Sequence, residues 1–340
     1  MTLTSPERVF VICEAGVTNY GDMELARRQV DVAADSGCDA VKFQAWKTES
    51  LVSRRVADRL SEELGHNWYD RMAARELSSA DLRELSERTV ARGLVFFATP
   101  HDEASLAFLV DDLDVPCLKV GSGEANNWQF LRRVGATGKP VLIAFGLQTD
   151  EEARRAVDLL REAGAPEVIA FHTVSVYPTP YEIANVRRIP ELREKLDVPI
   201  GISDHTVGWH VPLAAVALGA QSVEKHLTFD KRDPRSLDNP GALEPDEFPS
   251  MVSQIRDLEL ALAPPAPAPD LMAASRDWAL QAVVAASDLP EGRVLEAEDV
   301  AFKRPARGGV PASEVDALLG RRLLRAVEAD EQIRLEDVAQ

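Results

Sequence analysis

The chain has 340 residues, 45% hydrophobic and 28% charged, a composition typical of a globular protein with a sizeable buried core. Its 38 basic and 56 acidic residues give a formal net charge of −18, which argues against nucleic acid or an anionic membrane as a partner. No apolar run approaches the roughly 18 residues of a membrane span, and the N-terminus lacks a signal-peptide pattern, so we expect a cytoplasmic protein. Cys13, Cys38 and Cys117 are widely spaced and predict buried free thiols.

Short apolar runs alternate with amphipathic helical stretches over the first 260 residues, a pattern that predicts a parallel sheet covered by helices. The candidate strands span residues 8–13, 40–43, 94–98, 117–120, 140–145, 167–172, 199–203 and 222–226. Eight strands predict an α/β fold of the (β/α)8 TIM-barrel type, with a doubly wound sheet as the alternative. Helices are predicted between strands, for example over 22–37, capped by Asp22, and over 150–164, capped by Asp150.

Three segments interrupt or follow this pattern. Residues 61–79 form a long excursion after the second strand, which either shapes a substrate site or packs outside as an extra helix. Proline-rich sequence predicts a semi-rigid linker over 263–277, between a barrel domain at 1–262 and a small β-rich domain at 278–340. A domain of roughly 60 residues is marginal for independent stability, so we expect it to lean on another surface.

Polar residues cluster where the predicted strands end, and in a parallel barrel those ends meet at one mouth. His205 and His226 are 21 residues apart, about one βα unit, which would place two imidazoles on adjacent strand ends. Such a pair can bind one divalent cation, although a histidine at a strand end is more often only hydrogen-bonded. His172 and His210 are weaker candidates for the same role.

Lys42 and Lys119 lie among apolar neighbours, in "AVKFQ" and "CLKVGSGE". A buried lysine is costly unless its charge meets an anion, so two at one mouth suggest a phosphate or carboxylate ligand. Alternatively, the lysines extend between the helices or pair with Glu14 and Glu124. The glycines of "GSGE" would let backbone amides approach an anion, which by itself is a weak signal.

Taken together and in order, the motifs resemble the sialic acid synthase family, which condenses phosphoenolpyruvate with an N-acylated hexosamine-type sugar to give a nonulosonic acid. The resemblance rests on these segments: "EAGVTNYGDMELARRQVDVAADSGCDAVKFQ", "FFATPHDEASLAFL", "LKVGSGEANNWQFLRRVGATGKPVLIAFGL", "VYPTPYE", "IGISDHTVGWHVPLAAVALGAQSVEKHLTFD" and "LEPDEF". "VAASDLPEGRVLEAEDVAFKRP" and "LLGRRLL" resemble the antifreeze-like SAF domain that this family carries.

The resemblance implies a role for most of the strand-end residues. His205 and His226 would hold a divalent metal, Mn2+, Mg2+ or Co2+, that polarises the sugar aldehyde. The predicted catalytic residues are Glu14, Lys42, Lys119, His205 and His226. Gln44 and Thr99, from their strand ends, join the substrate-binding set of Ser122, Glu124, Ser175, Tyr177, Ser203, Asp238 and Arg304. Arg304 would enter the partner subunit's active site in a domain-swapped homodimer, with phosphoenolpyruvate and an aldose acceptor as substrates.

Several positions depart from the family pattern. Thr18 and Asn19 stand where the first loop usually has asparagine and histidine, and Asn239 stands where a histidine is often found. Ala144 and Phe145 replace a serine and a threonine, which removes a hydroxyl and adds a bulky ring. We expect these changes to remodel the pocket while leaving the metal and lysine positions intact. The acceptor sugar is therefore left open, and two alternatives remain: a metal-dependent aldolase or lyase acting on a keto-deoxy sugar acid, and a non-catalytic carbohydrate-binding relative.

Overall fold

The computed structural model describes residues 3, 5, 7–264 and 269–340. Internal contacts divide the chain into two compact units, Met1–Ala263 and Pro264–Gln340. Within the described residues, no helix is long and apolar enough to cross a membrane. The three cysteines are free and buried, which confirms the prediction made from their spacing.

The first unit is a closed barrel of eight parallel strands, in which each strand pairs with the next and β8 pairs with β1. The strands are β1 Phe10–Glu14, β2 Ala40–Ala45, β3 Val95–Pro100, β4 Leu118–Val120, β5 Val141–Phe145, β6 Val168–Thr173, β7 Ile200–Asp204 and β8 Ser222–His226. The predicted barrel is confirmed, and the closed strand order excludes the doubly wound alternative.

Helices surround the barrel. They are α1 Met23–Asp35, α2 Thr48–Leu51, α3 Arg54–Leu64, α4 Trp68–Ala73, α5 Ser79–Ala91, α6 Glu103–Ala107 with a π-helical turn Phe108–Asp112, α7 Trp128–Ala136, α8 Asp150–Ala163, α9 Tyr181–Ala184, α10 Arg188–Leu196, α11 His210–Ala217 and α12 Phe248–Leu262. The excursion predicted over 61–79 includes the end of α3 and all of α4. It contacts the loop after β8, where Arg71 Nη2 donates to the Arg235 carbonyl at 2.6 Å. The excursion therefore borders the mouth of the barrel.

Strand side chains alternate between two cores because successive residues point to opposite faces. One core fills the barrel interior and includes Ile12, Phe97, Leu142 and Phe171. The larger core lies between strands and helices and includes the intervening strand residues. The same alternation continues toward the carboxyl ends of the strands. Residues there that are in register with the interior core therefore point into the mouth.

The caps of two helices test the predicted boundaries. Asp22 caps α1 as predicted, accepting from the Glu24 amide at 2.8 Å. The cap predicted at Asp150 is wrong: Thr149 has the extended backbone and bonds to the Glu152 amide, so Asp150 is already the first helical residue. The Asp150 carboxylate pairs instead with Arg188 and Lys195.

The second unit begins with helix α13 Pro269–Ala279 and contains the antiparallel pair β9 Ala282–Ala285 and β10 Val300–Lys303. The linker predicted over 263–277 is thus helical in its second half, because that part is rich in good helix formers; residues 265–268 lie outside the described residues. Short 3₁₀ helices span Ala297–Asp299, Ala312–Ala317 and Leu335–Asp337. A core that includes Val283, Leu295, Leu318 and Ile333 lies within this unit.

Candidate active site

A buried layer of four charges closes the bottom of the barrel mouth. Lys42 Nζ lies 2.9 Å from Glu14 Oε2 and 3.6 Å from Glu224 Oε1. Lys119 Nζ lies 3.1 Å from Glu224 Oε2. All four side chains are at most 4% exposed. The lysines therefore point into the mouth, and Lys119 pairs with Glu224 rather than with Glu124, the partner in the alternative interpretation.

Burial and charge pairing compete for the protonation of this layer. Burial by itself would lower the pKa of Lys42, but Glu14 and Glu224 outweigh it and raise that pKa. Burial lowers the pKa of Lys119, with the Lys42 charge adding to it, in spite of Glu224. Burial opposes the Glu224 carboxylate, yet Lys119 and Lys42 hold its pKa below the ordinary value. Pairing with carboxylates thus favours the charged form of Lys42, whereas burial disfavours the charge of Lys119.

Neighbouring polar side chains hold the layer in place. Ser203 Oγ donates to Glu224 Oε1 at 2.9 Å, and Gln44 Nε2 donates to Glu14 Oε1 at 2.9 Å. Thr99 Oγ1 accepts from Lys42 Nζ at 3.3 Å. Gln44, Thr99 and Ser203 therefore form hydrogen bonds with the charged groups of the layer, and their role in substrate binding stays a prediction.

His205 and His226 lie side by side above the layer, with ring centroids 5.3 Å apart. His205 Nδ1 donates to the Val174 carbonyl at 2.9 Å, so the proton is on Nδ1 and Nε2 keeps its lone pair. Burial, and after it the nearby His226, lowers the pKa of His205 to about 3. This ring is therefore neutral near pH 7, which is the form that binds metals.

Tyr177 and Asp238 lie against the imidazole pair, and Glu124 pairs with His101. The Tyr177 ring lies 4.1 Å from the His205 ring, centroid to centroid. Asp238 Oδ2 lies 3.7 Å from His226 Nδ1. Glu124 Oε1 is 2.8 Å from His101 Nδ1; burial by itself would raise the pKa of Glu124, but His101 outweighs it and lowers that pKa.

Hydroxyl groups from two loops meet at Gly146. Ser122 Oγ accepts from the Gly146 amide at 2.8 Å. A methyl group on Gly146 would clash with Ser175 Oγ and lie 3.0 Å from Ser122 Oγ, so both serines flank this glycine. Glycine is thus required here by close packing, and Ser122 and Ser175 are brought together as their loops predicted.

The positions that depart from the family pattern affect the mouth less than their sequence suggests. Ala144 is buried in the interior core, but Phe145 belongs to the core between strands and helices. The bulky ring therefore points away from the mouth, and the expectation that it remodels the pocket is wrong. Asn19 and Asn239 are buried and tie loops together, Asn239 donating to Tyr20 Oη at 2.7 Å and to the Asp233 carbonyl at 2.7 Å.

Other strand-end residues lie outside the mouth. Lys225 Nζ pairs with Asp204 Oδ2 at 2.5 Å, on the opposite face of their strands from Glu224. His172 Nε2 donates to the Ala184 carbonyl at 2.8 Å. Arg304 is exposed just beyond β10 in the second unit. Glu224 is the residue whose importance the sequence analysis missed, although its spacing of two from His226 would have predicted that both point inward.

The two imidazoles fit a divalent cation as a partial set of ligands. His226 Nδ1 is buried and has no hydrogen-bond partner among the described residues, and His205 has a free Nε2. No three His, Cys, Asp or Glu side chains in the described part of the chain form a fuller metal-binding group. A metal held here would therefore take its remaining ligands from substrate and water.

Buried charges at the strand ends of a parallel barrel indicate an enzyme. Catalytic groups need surroundings that shift their pKa values, whereas a purely structural barrel does not. Comparison with known proteins then gives the family. The NeuB family profile matches residues 29–265, most of the chain, and a SAF domain matches residues 281–339. The chain belongs to the NeuB family.

Relatives with assigned activities cover nearly the whole chain. It is 34% identical to the N,N'-diacetyllegionaminic acid synthase of Legionella pneumophila over 92% of its own length and 90% of the relative's. It is 32% identical to the human N-acetylneuraminate-9-phosphate synthase, with coverages of 95% and 91%. The crystal structure of N-acetylneuraminic acid synthetase from Leptospira borgpetersenii, in complex with citrate, matches with a TM-score of 0.68 at 31% identity, covering 80% of this chain and 92% of that one. The chain is thus a condensing enzyme of the transferase type.

Proposed function

We propose that the protein joins phosphoenolpyruvate to the open-chain aldehyde of an N-acylated or otherwise modified aldose, giving a nonulosonic 2-keto-3-deoxy sugar acid and inorganic phosphate. The names of its relatives support this reaction, since they are synthases of legionaminic and neuraminic acids. One observation carries the proposal: two buried ammonium groups, Lys42 and Lys119, share the Glu224 carboxylate directly below the imidazole pair. A donor with phosphate and carboxylate groups suits such paired cations.

In the proposed reaction, carbon 3 of phosphoenolpyruvate forms a bond with the aldehyde carbon, whose oxygen takes up a proton. Water then adds at carbon 2 and loses one proton, which balances the proton taken up by the aldehyde oxygen. The bond from carbon 2 to the phosphate oxygen breaks, the hydroxyl on carbon 2 becomes the keto group, and its proton leaves with the phosphate. Lys42 and Lys119 stabilise the anionic groups of the donor, and Ser122, Ser175 and Ser203 orient them. Glu14 faces the same space with Oε2 2.9 Å from Lys42 Nζ, and its carboxylate can stabilise positive charge at carbon 2 or orient the water.

His205 and His226 would hold the divalent metal, Mn2+, Mg2+ or Co2+. A metal at this place supplies Lewis-acid polarisation of the aldehyde oxygen. Tyr177 and Asp238 lie beside the imidazoles and Glu124 follows β4, and we assign these three residues to the acceptor sugar. Their mixture of acceptors and one hydroxyl suits a polyhydroxylated ligand.

We further propose that the active protein is a domain-swapped homodimer in which Arg304 of one subunit acts in the other subunit's site. The SAF match at residues 281–339 and the exposed position of Arg304 support this arrangement. A guanidinium is a strong and always charged donor for the acceptor's oxygen atoms.

Phosphate release from phosphoenolpyruvate with Mn2+ and a panel of aldoses, including N-acetylmannosamine and its 6-deoxy diamino relatives, tests the reaction. Release should require an acceptor and stop when a chelator is added. His226→Ala should abolish release because it removes one of two metal ligands, whereas His210→Ala, at an exposed histidine on α11, should not. Undiminished turnover by metal-stripped protein would refute the metal assignment. Silence with every aldose, combined with metal-dependent cleavage of a keto-deoxy sugar acid, would favour the aldolase alternative.

A further inference from the structure

One buried ion pair lies behind the imidazole pair and is not used by the proposed reaction. Asp204 is the last residue of β7 and Lys225 is the next-to-last residue of β8, and the two face each other in the register of the strands. Lys225 Nζ lies 2.5 Å from Asp204 Oδ2, and both side chains are at most 2% exposed. Each residue directly precedes one of the two imidazoles, His205 and His226.

The stability of the barrel gives little reason for charges at this place. The other outward-facing residues of the two strands, Ile200, Ile202 and Val223, belong to the apolar core between strands and helices. A buried ion pair loses the hydration of both charges, and its replacement by apolar side chains of similar volume is often neutral or stabilising. What the pair offers, and apolar side chains cannot, is a set of directional hydrogen bonds.

Those hydrogen bonds converge on Thr206, the residue after His205. The Asp204 carboxylate accepts from Thr206 Oγ1 at 2.9 Å and from the Thr206 amide at 3.2 Å. Lys225 Nζ donates to the Thr206 carbonyl at 2.6 Å. The backbone of Thr206 is therefore held at both its amide and its carbonyl, and Lys225 links this loop to the neighbouring strand. We refer to Asp204, Thr206 and Lys225 as the Thr206 clamp.

The Thr206 clamp restricts the movement of His205 relative to His226. Both chain neighbours of His205, Asp204 and Thr206, belong to the clamp, and the His205 carbonyl accepts from the Thr179 amide at 3.0 Å. A shift of the loop after β7 would change the separation of the two rings, whose centroids are 5.3 Å apart. One cation shared by two imidazoles needs a nitrogen of each ring at about 2 Å, so their separation determines the affinity for the metal.

We propose that Asp204 and Lys225 are positioning residues for the metal. Acting through Thr206, they hold the His205 imidazole at the separation from His226 that one divalent cation needs. This inference rests on the proposed function, in which the two imidazoles bind the metal. Groups behind metal ligands change the affinity by about ten- to hundredfold when they are removed, because they orient the ligands. The clamp orients the loop that carries one ligand relative to the strand that carries the other.

The competing explanation is that the ion pair only stabilises the barrel. Removal of one partner cannot separate the two explanations, because an unpaired buried charge destabilises the fold by itself. Asp204→Val/Lys225→Met removes both charges and places apolar side chains among apolar neighbours, so it should cost less stability than either single change. Thr206→Val keeps the ion pair and removes only the hydroxyl that Asp204 binds, and Thr206→Ser retains that hydroxyl.

Arg256→Met is the control for lost stability without a change at the imidazoles. Arg256 Nη2 lies 2.7 Å from Asp39 Oδ2, and Asp39 directly precedes β2, at the amino ends of the strands. This variant should lower the urea midpoint of unfolding and leave the binding of Mn2+ unchanged.

The experiment measures Mn2+ binding to the metal-stripped, full-length protein without substrates, by calorimetry and by loss of the EPR signal of free Mn2+. We expect Asp204→Val/Lys225→Met to raise the Kd for Mn2+ about ten- to hundredfold. Thr206→Val should raise it about three- to tenfold, since it removes one hydrogen bond, and Thr206→Ser should stay close to wild type. Calorimetric binding of phosphoenolpyruvate without metal should be the same in all variants, because Lys42 and Lys119 lie on the inward face of the strands.

An unchanged Kd for Mn2+ in the folded double variant would overturn the proposal, as would an equal loss of Mn2+ and phosphoenolpyruvate binding, which would show that the whole mouth is disturbed. A similar rise in Arg256→Met would overturn it in favour of stability alone. Should the double variant fail to fold, Thr206→Val and Thr206→Ser decide, and equal Kd values for these two would overturn the proposal.

The failure of this inference and that of the proposed reaction are distinguishable because Mn2+ binding is measured without turnover. Absence of Mn2+ binding by wild type would overturn the metal assignment and this inference together. Mn2+ binding that weakens when the Thr206 clamp is broken supports the inference even if no phosphate is released from phosphoenolpyruvate, a result that would refute only the proposed reaction.

Discussion

Two cations and two anions are balanced in the buried layer, and each depends on the others. Glu224 is central because it lies within 3.6 Å of Lys42 and 3.1 Å of Lys119. A buried charge without a partner is strongly disfavoured, whereas the complete set is neutral overall. Substrate anions can therefore enter only by sharing lysines that Glu14 and Glu224 already hold in place, so the lysine side chains are oriented before binding.

Removing the Glu224 carboxylate should destabilise the fold. Glu224→Ala leaves two buried ammonium groups with one remaining carboxylate, so we expect the free energy of unfolding to fall by about 3–5 kcal/mol in urea denaturation. Glu84→Ala is the control, since it breaks the Arg27 ion pair, in which the Glu84 side chain is 48% exposed, and should leave the urea midpoint nearly unchanged. Similar midpoints for the two variants would show that the layer tolerates an unpaired lysine.

At the scale of elements, the first turn of α8 shows how two adjacent capping residues divide their roles. Thr149 accepts from the Glu152 amide while the Glu152 carboxylate accepts from the Thr149 amide at 2.8 Å, a reciprocal capping box. The Asp150 carboxylate then pairs with two residues of α10, Arg188 and Lys195. Both residues are good caps by type, and only the tertiary partners of Asp150 decide between them.

The cap can be tested with substitutions that keep the size of the side chain. Thr149→Val removes the hydroxyl and leaves helix amides unsatisfied, so we expect a loss of about 1 kcal/mol in the free energy of unfolding. Thr149→Ser keeps the hydroxyl and should retain most of the stability, as measured by thermal or urea unfolding. If valine and serine gave the same stability, the hydrogen bond to Glu152 would contribute little.

Strand periodicity predicted the barrel well because most strands carry a short apolar run between turn signals, although β8 and β4 contain charged residues. The same periodicity also settles which side chains enter the mouth: Ala144 and Glu224 point inward, whereas Phe145 and Lys225 point outward. Treating Phe145 as a pocket residue overlooked this alternation. Contacts between distant segments could not be found in this way: Arg71 Nη2 on α4 donates to the carbonyl of Arg235, which is 164 residues away and meets it only in the folded chain.

At the scale of the whole molecule, the predicted site is divided between the two units of the chain. All predicted site residues except Arg304 belong to the barrel unit, Met1–Ala263, and Arg304 belongs to Pro264–Gln340. The second unit has a small apolar core and exposes Phe302 and Lys303 next to Arg304. Under the proposed domain swap, Arg304 would complete a site, and the question is whether that site belongs to its own subunit or to the partner subunit.

Complementation between two inactive variants answers this question. In a dimer that combines His226→Ala with Arg304→Ala, an Arg304 acting across subunits would complete the intact barrel of the Arg304→Ala subunit. The co-expressed mixture of dimers should then recover about one quarter of wild-type turnover. Half of a random mixture is heterodimer, and each heterodimer has one working site in two. Light scattering should give twice the 37.2 kDa chain mass for each variant. No recovery from verified heterodimers would place Arg304 in its own subunit's site or outside catalysis, and full activity of Arg304→Ala alone would remove it from the site.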